Sequence, residues 1–414
     1  MTPYAITGVG LVSPLGVGYA EFARALADWA REPRDFFAGP SALFDPKSVA
    51  DSMAAECRDF DAKQHLGDKG LRNFDRLTKM LIVSGKLTLE DAGLKRDGVH
   101  VLQPDRIGLC SATAYGSLEA ITEAVQITEL EDPRFLNPNR FPNTVINASA
   151  GYVSIWEDLR APNVTVVNGN CGSLDAVFNG AMHVMHGRAD AFLVGGGEAL
   201  SEPLYAAFRR LGVLAEAGRR FAPGRPDSQG TRIGEGSAYV CIEQRAFAAQ
   251  RGARVHGEII GYGNAFEPPE SEAVVVHASS LAVERAIRTA LQDAQLTPAE
   301  IDVVASAQSG IADFDSAEFK GIRAVLGADV AVATPKAIYG ETWGAAGALS
   351  MACALAWFAG VPIAPLVNGA VRDTPRHVLV LALGYYGNAS AVVMRRHAYI
   401  APQIRSGFPT RCTS

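Results

Sequence analysis

Apolar and polar positions along this chain fall into two alternating rhythms. Short, nearly unbroken apolar runs edged by glycine recur at 5–12, 106–110, 191–198, 233–243, 257–262, 302–306, 377–383 and 389–395. Runs of four to eight apolar residues bounded by turn formers read as buried strands. Between them, apolar residues return at helical spacing over 19–29, 75–92 with Gly93 as its cap, onward from near Leu118, 147–156, 281–294, 316–326 and up to about Phe358. Strands alternating with helices predict an α/β protein with mostly parallel sheets covered on both faces. The rhythm repeats after about residue 250, which divides the chain into halves at 1–250 and 251–414. Such matching halves suggest duplication, although no residue-by-residue repeat is visible.

One stretch organises the rest: Val166-Val-Asn-Gly-Asn-Cys-Gly-Ser-Leu-Asp-Ala-Val177. A β-branched run ends in small polar residues, and a helical pattern with Leu174, Val177 and Met182 follows at once. The spacing places the Cys171 thiol at a helix N-terminus, where unpaired N–H groups and the helix dipole favour the thiolate, the reactive form. Cys171 is therefore a candidate nucleophile, against the common role of cysteine as a small buried hydrophobe.

Composition narrows the alternatives. With 414 residues, 48% hydrophobic and 20% charged, the chain can bury a large core. A net charge of −6 and no long Lys/Arg run argue against nucleic-acid binding. Cysteines at 57, 110, 171, 241, 353 and 412 form no Cys-x-x-Cys unit, so no metal site or disulfide framework is expected, and a reducing cytoplasm fits best. The first residues carry no secretory pattern. The uncharged stretch 345–367 is long enough to span a bilayer, but its Gly and Ala content, Pro362 and Pro365 predict a buried helix and a turn, with no membrane span. Gly8-Val-Gly10 begins like a dinucleotide fingerprint, yet Ser13 stands where a third glycine belongs. The segment 209–226 concentrates Arg209, Arg210, Arg219, Arg220 and Arg225. It reads either as a solvated loop or as a local basic patch for an acidic partner.

Ten separated motifs then agree. Ile6-Thr-Gly-Val-Gly-Leu-Val-Ser-Pro-Leu-Gly16, Arg106-Ile-Gly-Leu109, Phe141-Pro-Asn143, the Cys171 turn, Gly234-Glu-Gly-Ser-Ala238, Leu291-Gln-Asp-Ala294, Asp315-Ser-Ala-Glu318, Thr334-Pro-Lys336, Gly344-Ala-Ala-Gly-Ala348 and Gly387-Asn-Ala-Ser390 occur in this order. In them the chain resembles the β-ketoacyl synthases, thiolase-fold condensing enzymes of fatty acid and polyketide synthesis. The resemblance implies two duplicated halves in a five-layered αβαβα arrangement, with Cys171 where acyl groups are loaded. It implies no cofactor of the chain's own, phosphopantetheine arriving on an acyl carrier protein. It also implies a dimer, with itself or with a ketosynthase subunit, paired through the sheet edge at 164–168. Because acyl carrier proteins are acidic, Arg209, Arg210, Arg219 and Arg220 become a candidate docking surface.

The departures are as informative as the matches. By the resemblance, two histidines that support decarboxylative condensation would stand at Ala307 and Glu341. Loss of one oxyanion donor alone costs about a hundred- to a thousandfold in rate. His277 and His183 are the least remote candidates to substitute. Lys336 is kept and can pair with Glu341. In Gly384-Tyr-Tyr-Gly-Asn-Ala389, shorter than the family's loop, Tyr385 takes the gating aromatic's place. The candidate catalytic set is thus Cys171, Lys336 and Glu341, with Ala307, Tyr385, Tyr386 and Asn388 on the substrate side. Two functions fit: a degenerate partner of an active ketosynthase, similar to chain-length factors of polyketide and aryl polyene systems, or a Cys171-dependent acyltransferase serving a non-malonyl acceptor with Glu341 as base.

Overall fold

The computed structural model describes residues 2–37, 41–44, 49, 52–271 and 276–397. Five strands build the first half: β1 (Tyr4–Ser13), β2 (Ile107–Ala112), β3 (Asn163–Val166), β4 (Ala191–Glu198) and β5 (Gly236–Gln244). Five build the second: β6 (Gly257–Phe266), β7 (Val303–Ala305), β8 (Ala331–Ala333), β9 (His377–Leu383) and β10 (Asn388–Arg395). Their order across the sheet is β3-β2-β4-β5-β1-β6-β10-β9-β7-β8, with Leu366–Asn368 added antiparallel beyond β8. Numbered within its own half, each set runs 3-2-4-5-1. The duplication that the residues conceal is plain in the topology.

The sheet is mixed, which corrects the expectation of mostly parallel pairing. Parallel pairs are confined to the outer strands of each half, β3-β2-β4 and β8-β7-β9. The inner pairs are antiparallel. The reason is connective: only a few residues separate β9 from β10, and a parallel pair needs a crossover of a dozen or more. The halves join where β1 meets β6 over three residue pairs, Tyr4↔Ile259 to Ile6↔Gly257.

Six helices complete the layers. On the outer face of the first half, α1 (Arg76–Asp91) packs on β1 and β5, with α2 (Ala148–Glu157) against it. Between the two halves lie α3 (Gly172–Met185) and α6 (Ala346–Phe358), each touching strands of both. Over the second half, α4 (Ser280–Ala294) covers β6 and β10 and is backed by α5 (Ala312–Leu326). This is the αβαβα thiolase arrangement. All residues of α6 are buried, which explains the uncharged 345–367 stretch: a helix apolar all round belongs inside. No helix among the described residues is long and apolar enough to cross a membrane.

The N-terminal glycines serve packing. A Cβ on Gly8 would come within 2.4 Å of the Thr88 carbonyl oxygen and one on Gly10 within 2.3 Å of that of Ser84, both on α1. Only glycine lets α1 lie this close to β1.

Candidate active site

Cys171 is the N-cap of α3, reached through the short 3-10 turn Gly169–Cys171 that follows β3. Its side chain is fully buried. The thiol donates toward the carbonyl oxygens of Ala382 at 3.5 Å and Asn388 at 3.7 Å. Burial pushes its pKa far above the ordinary thiol value, and the negative charge of Asp175 adds to the rise; Ser390, the Gly384 N–H and Lys336 pull the other way without offsetting it. The expected thiolate is therefore corrected to a thiol. Desolvation outweighs the helix end.

Asp175, one turn along α3, accepts hydrogen bonds from Tyr262 Oη (2.7 Å), Ser390 Oγ (2.5 Å) and Asn168 Nδ2 (2.5 Å). Burial raises its own pKa while these donors lower it. Asn168 is fixed in turn by Asn388 Nδ2 at 3.0 Å. The turn carrying the cysteine is thus held rigidly, and by neutral groups apart from one carboxyl.

Lys336 and Glu341 meet beside it. Lys336 Nζ lies 2.7 Å from Glu341 Oε2, and both side chains are at most 2% exposed. The same oxygen accepts from Asn170 Nδ2 at 3.0 Å, and Oε1 accepts from the Trp343 N–H at 2.9 Å. Both Glu341 oxygens are engaged. The pair is hydrogen-bonded to the cysteine turn through Asn170, the residue preceding Cys171.

Ala307 follows β7, buried, and its N–H donates to Glu318 Oε1 at 2.7 Å. Glu318 Oε2 has no partner among the described residues, and burial together with Asp315 lifts its pKa to about 8. Asp315 accepts from the N–H groups of Gly224, Ser309 and Gly310, yet burial still holds it up at about 6. The motif Asp315-Ser-Ala-Glu318 therefore fixes the loop that carries Ala307.

Tyr385 and Asn388 are half-buried and Tyr386 is exposed. The Tyr385 hydroxyl faces the side chains of Asn170 and Trp343 without completing a hydrogen bond. His277 supports this loop through its backbone, donating to the Tyr385 carbonyl at 2.7 Å. His183 lies twelve residues down α3 from the sulfur, stacked on Phe192 at 5.3 Å. At 1.5 Å per residue it sits roughly 18 Å away along the helix, out of reach of the sulfur.

The arginines divide between two elements. Arg209 and Arg210 end the helix Glu202–Arg210, which the sequence reading placed in a loop; a helix C-terminus favours cations. Arg219 and Arg220 lie on the exposed segment beyond it. Arg209 pairs with Glu216 and Arg220 with Asp227, so part of this positive charge is internally compensated.

Sequence reasoning gave no role to Asp175, Glu318 or Trp343. Asp175 was detectable as an acid one turn past the cysteine, and Glu318 stood inside a quoted motif. Trp343 gave no signal. Its backbone, at φ 40°, lies in the left-handed region, a strain of about 1–3 kcal/mol for a bulky residue.

A duplicated αβαβα scaffold with a cysteine capping the first central helix defines a thiolase-fold protein of the condensing-enzyme class. The chain belongs to the β-ketoacyl synthase family: residues 1–248 match the model of the β-ketoacyl synthase N-terminal domain and residues 256–370 that of the C-terminal domain. It is 30% identical over 362 residues to a 3-oxoacyl-[acyl-carrier-protein] synthase 2 of Coxiella burnetii, covering 83% of each chain. It is also 30% identical over 414 residues to the actinorhodin polyketide putative β-ketoacyl synthase 2 of Streptomyces coelicolor, covering 95% of this chain and 98% of that one. Among solved structures, the ishigamide ketosynthase/chain length factor superposes with a TM-score of 0.84 at 23% identity, over 96% of this chain and 99% of that one. The ketosynthase ApeO in complex with its chain length factor ApeC from Xenorhabdus doucetiae gives 0.75 at 18%, over 96% and 98%.

Proposed function

We propose that this chain is a ketosynthase-like subunit of acyl-carrier-protein-dependent fatty acid or polyketide biosynthesis, acting as the chain-length-factor-like partner of an active ketosynthase. The observation that carries this reading is the setting of Cys171: fully buried, aimed at two carbonyl oxygens, and with burial pushing its pKa up. A nucleophile needs an adjacent base or a lowered pKa, and this thiol has neither. Where the resemblance puts the family's two histidines stand Ala307, which has no polar side chain, and Glu341, whose oxygens accept from Lys336, Asn170 and the Trp343 N–H. As the base of an acyltransferase, Glu341 would have to act out of its buried ion pair with Lys336. Relatives named as second β-ketoacyl synthases of polyketide systems, and structural neighbours described as ketosynthase/chain length factor complexes, support the same reading.

The partner surface follows from the sheet. β3 ends the sheet order, so one of its edges is unpaired among the described residues, and Val167 just beyond it is 50% exposed. An open edge with exposed apolar neighbours is a template for pairing with another chain. The exposed Arg210 and Arg219, with their partly compensated neighbours Arg209 and Arg220, would face an acidic carrier protein.

The test is co-expression with a ketosynthase carrying the full Cys and His set, followed by reconstitution. A stable heterodimer, and unchanged product formation with Cys171→Ala, are expected. A homodimer whose Cys171 is acylated by carrier-protein thioester would defeat the proposal.

A further inference from the structure

Positive charge gathers at one place on this acidic chain. Between 209 and 232 stand Arg209, Arg210, Arg219, Arg220, Arg225 and Arg232, against two acids, Glu216 and Asp227. Five of these arginines are exposed, and Arg232 is not. Its side chain is 13% exposed, and its guanidinium carbon stands 5.3 Å from the ring centroids of both Phe37 and Phe221, which meet edge-to-face at 5.1 Å. Its oxygen partners are more distant than a close ion pair: Asp35 Oδ2 is 3.5 Å from Nη1, and the Ala215 carbonyl accepts from Nε at 3.4 Å. The cation is therefore held chiefly by two aromatic faces. An uncharged side chain of similar length would fill the same space, so packing alone does not call for an arginine here.

The two rings come from different segments. Phe37 is buried beyond the helix Tyr19–Arg31, and Phe221 follows Arg219 and Arg220 directly. The backbone at Arg232 is fixed as well. Its carbonyl accepts from the Glu341 N–H at 2.9 Å, and Thr231 beside it bonds Val213 and Ala215 through its N–H (2.8 Å) and carbonyl (2.7 Å). The arginine-bearing loop is pinned at two further points. Arg220 is bonded to Gln229 through both its N–H (2.9 Å) and its carbonyl (2.8 Å), and the Gly224 N–H donates to Asp315 on α5 at 2.8 Å. Arg219 and Arg220 are thus surface cations on a loop whose shape is set by buried contacts, and the ring next to them rests on Arg232. A surface ordered before contact loses less freedom on binding.

We propose that Arg232 is a positioning residue for a docking surface: its cation, clamped between Phe37 and Phe221, holds Arg219 and Arg220 in the arrangement that an acidic protein surface meets. The partner is an acidic protein of the acyl-carrier type, which six arginines against two acids favour. The inference rests on the reading of this chain as a subunit of acyl-carrier-protein-dependent biosynthesis. It adds a residue that acts through Phe221 rather than by touching the partner.

The experiment uses the full chain and an apo acyl carrier protein, so that surface contact is measured without the phosphopantetheine arm. Titration calorimetry over a series of salt concentrations gives Kd and its salt dependence. Arg232→Met keeps the stem and removes the cation, and it should weaken binding about tenfold. Arg232→Lys returns a cation to the clamp and should recover most of that loss. The salt dependence of Arg232→Met should stay that of the unaltered chain, because Arg219 and Arg220 keep their charges, whereas Arg219→Ala with Arg220→Ala should lessen it. Unchanged affinity in Arg232→Met overturns the proposal, and so does an equal loss in Arg232→Lys. A carrier protein that does not bind the unaltered chain overturns it together with the docking surface; the partner reading is then still judged by the heterodimer with a ketosynthase. If Arg232→Met loses its cooperative melting transition, Phe221→Leu removes one ring of the clamp from the loop side and is judged by the same criterion.

Discussion

The turn that opens α3, Gly169–Cys171, and the turn that opens α6, Trp343–Ala345, can be compared group by group, because duplication has given them nearly the same backbone: the N-caps Cys171 and Ala345 have φ/ψ of −80°/−19° and −89°/−18°. Around Cys171 the bonds are mostly neutral: asparagine, serine and tyrosine donors converge on one carboxyl, Asp175, whose pKa burial raises. Around the second turn the bonds are ionic: Lys336 faces Glu341, with Asp315 and Glu318 acting on the same ammonium from α5. Asn170 joins the two by donating to Glu341. The scaffold therefore fixes where side chains arrive, while the residues on each turn decide whether the place is reactive. Here burial disfavours the thiolate on the first turn, and the second turn uses its charges on one another.

Breaking the ionic turn should have the largest effect. Glu341→Gln leaves Lys336 charged and buried without its counter-ion, and removal of one member of a buried pair costs about 3–5 kcal/mol. Denaturant unfolding should show that loss. The double change Lys336→Met with Glu341→Gln should recover most of it, because both charges are then gone. Equal losses in the single and double variants would mean that the pair is not the unit holding this turn.

A second effect is pH-dependent. Burial lifts the folded pKa of Glu318 to about 8, above its value of 4.5 in an unfolded chain. The folded state thus holds this proton more tightly. The contribution to stability is fully present below about pH 4.5 and is lost as pH rises toward 8. Glu318→Gln keeps the acceptor for the Ala307 N–H and cannot ionise. It should lessen the fall between these values and leave the variant more stable than the parent at pH 8, with the part of the fall that belongs to Asp315 remaining. Melting curves across this range measure it; parallel pH profiles for parent and variant would show that Glu318 does not titrate with folding.

The α/β class, most helices and the Cys171 turn were legible in the chain because burial leaves a periodic apolar trace. The strand order was not: 302–306 and 377–383 look alike in sequence, yet β7 pairs only in parallel while β9 turns back antiparallel on β10. Pairing direction depends on connections, not on composition. The site was legible as residues and misleading as chemistry. Lys336 and Glu341 pair and bond to Asn170 beside Cys171, but the helix end predicted a thiolate, and the surrounding burial and Asp175 oppose that. Trp343 was invisible for a related reason. A tryptophan beside glycine and alanine looks like ordinary core until its φ is known.

The smallest prediction tests whether the two turns are equivalent in backbone. Gly169→Ala places a Cβ at φ 54° with nothing within 4 Å of it, so steric contact with neighbours adds nothing. Only the left-handed conformation is penalised, which costs an L-residue about 1–2 kcal/mol. Melting should fall by that amount with the Cys171 environment unchanged. Asparagine, which tolerates this conformation better, should recover part of the loss. If alanine there is neutral, the turn has relaxed out of the left-handed region, and Trp343 on the matching turn need not be strained either. If alanine costs as expected, the same backbone penalty applies to Trp343, whose φ lies in the same region.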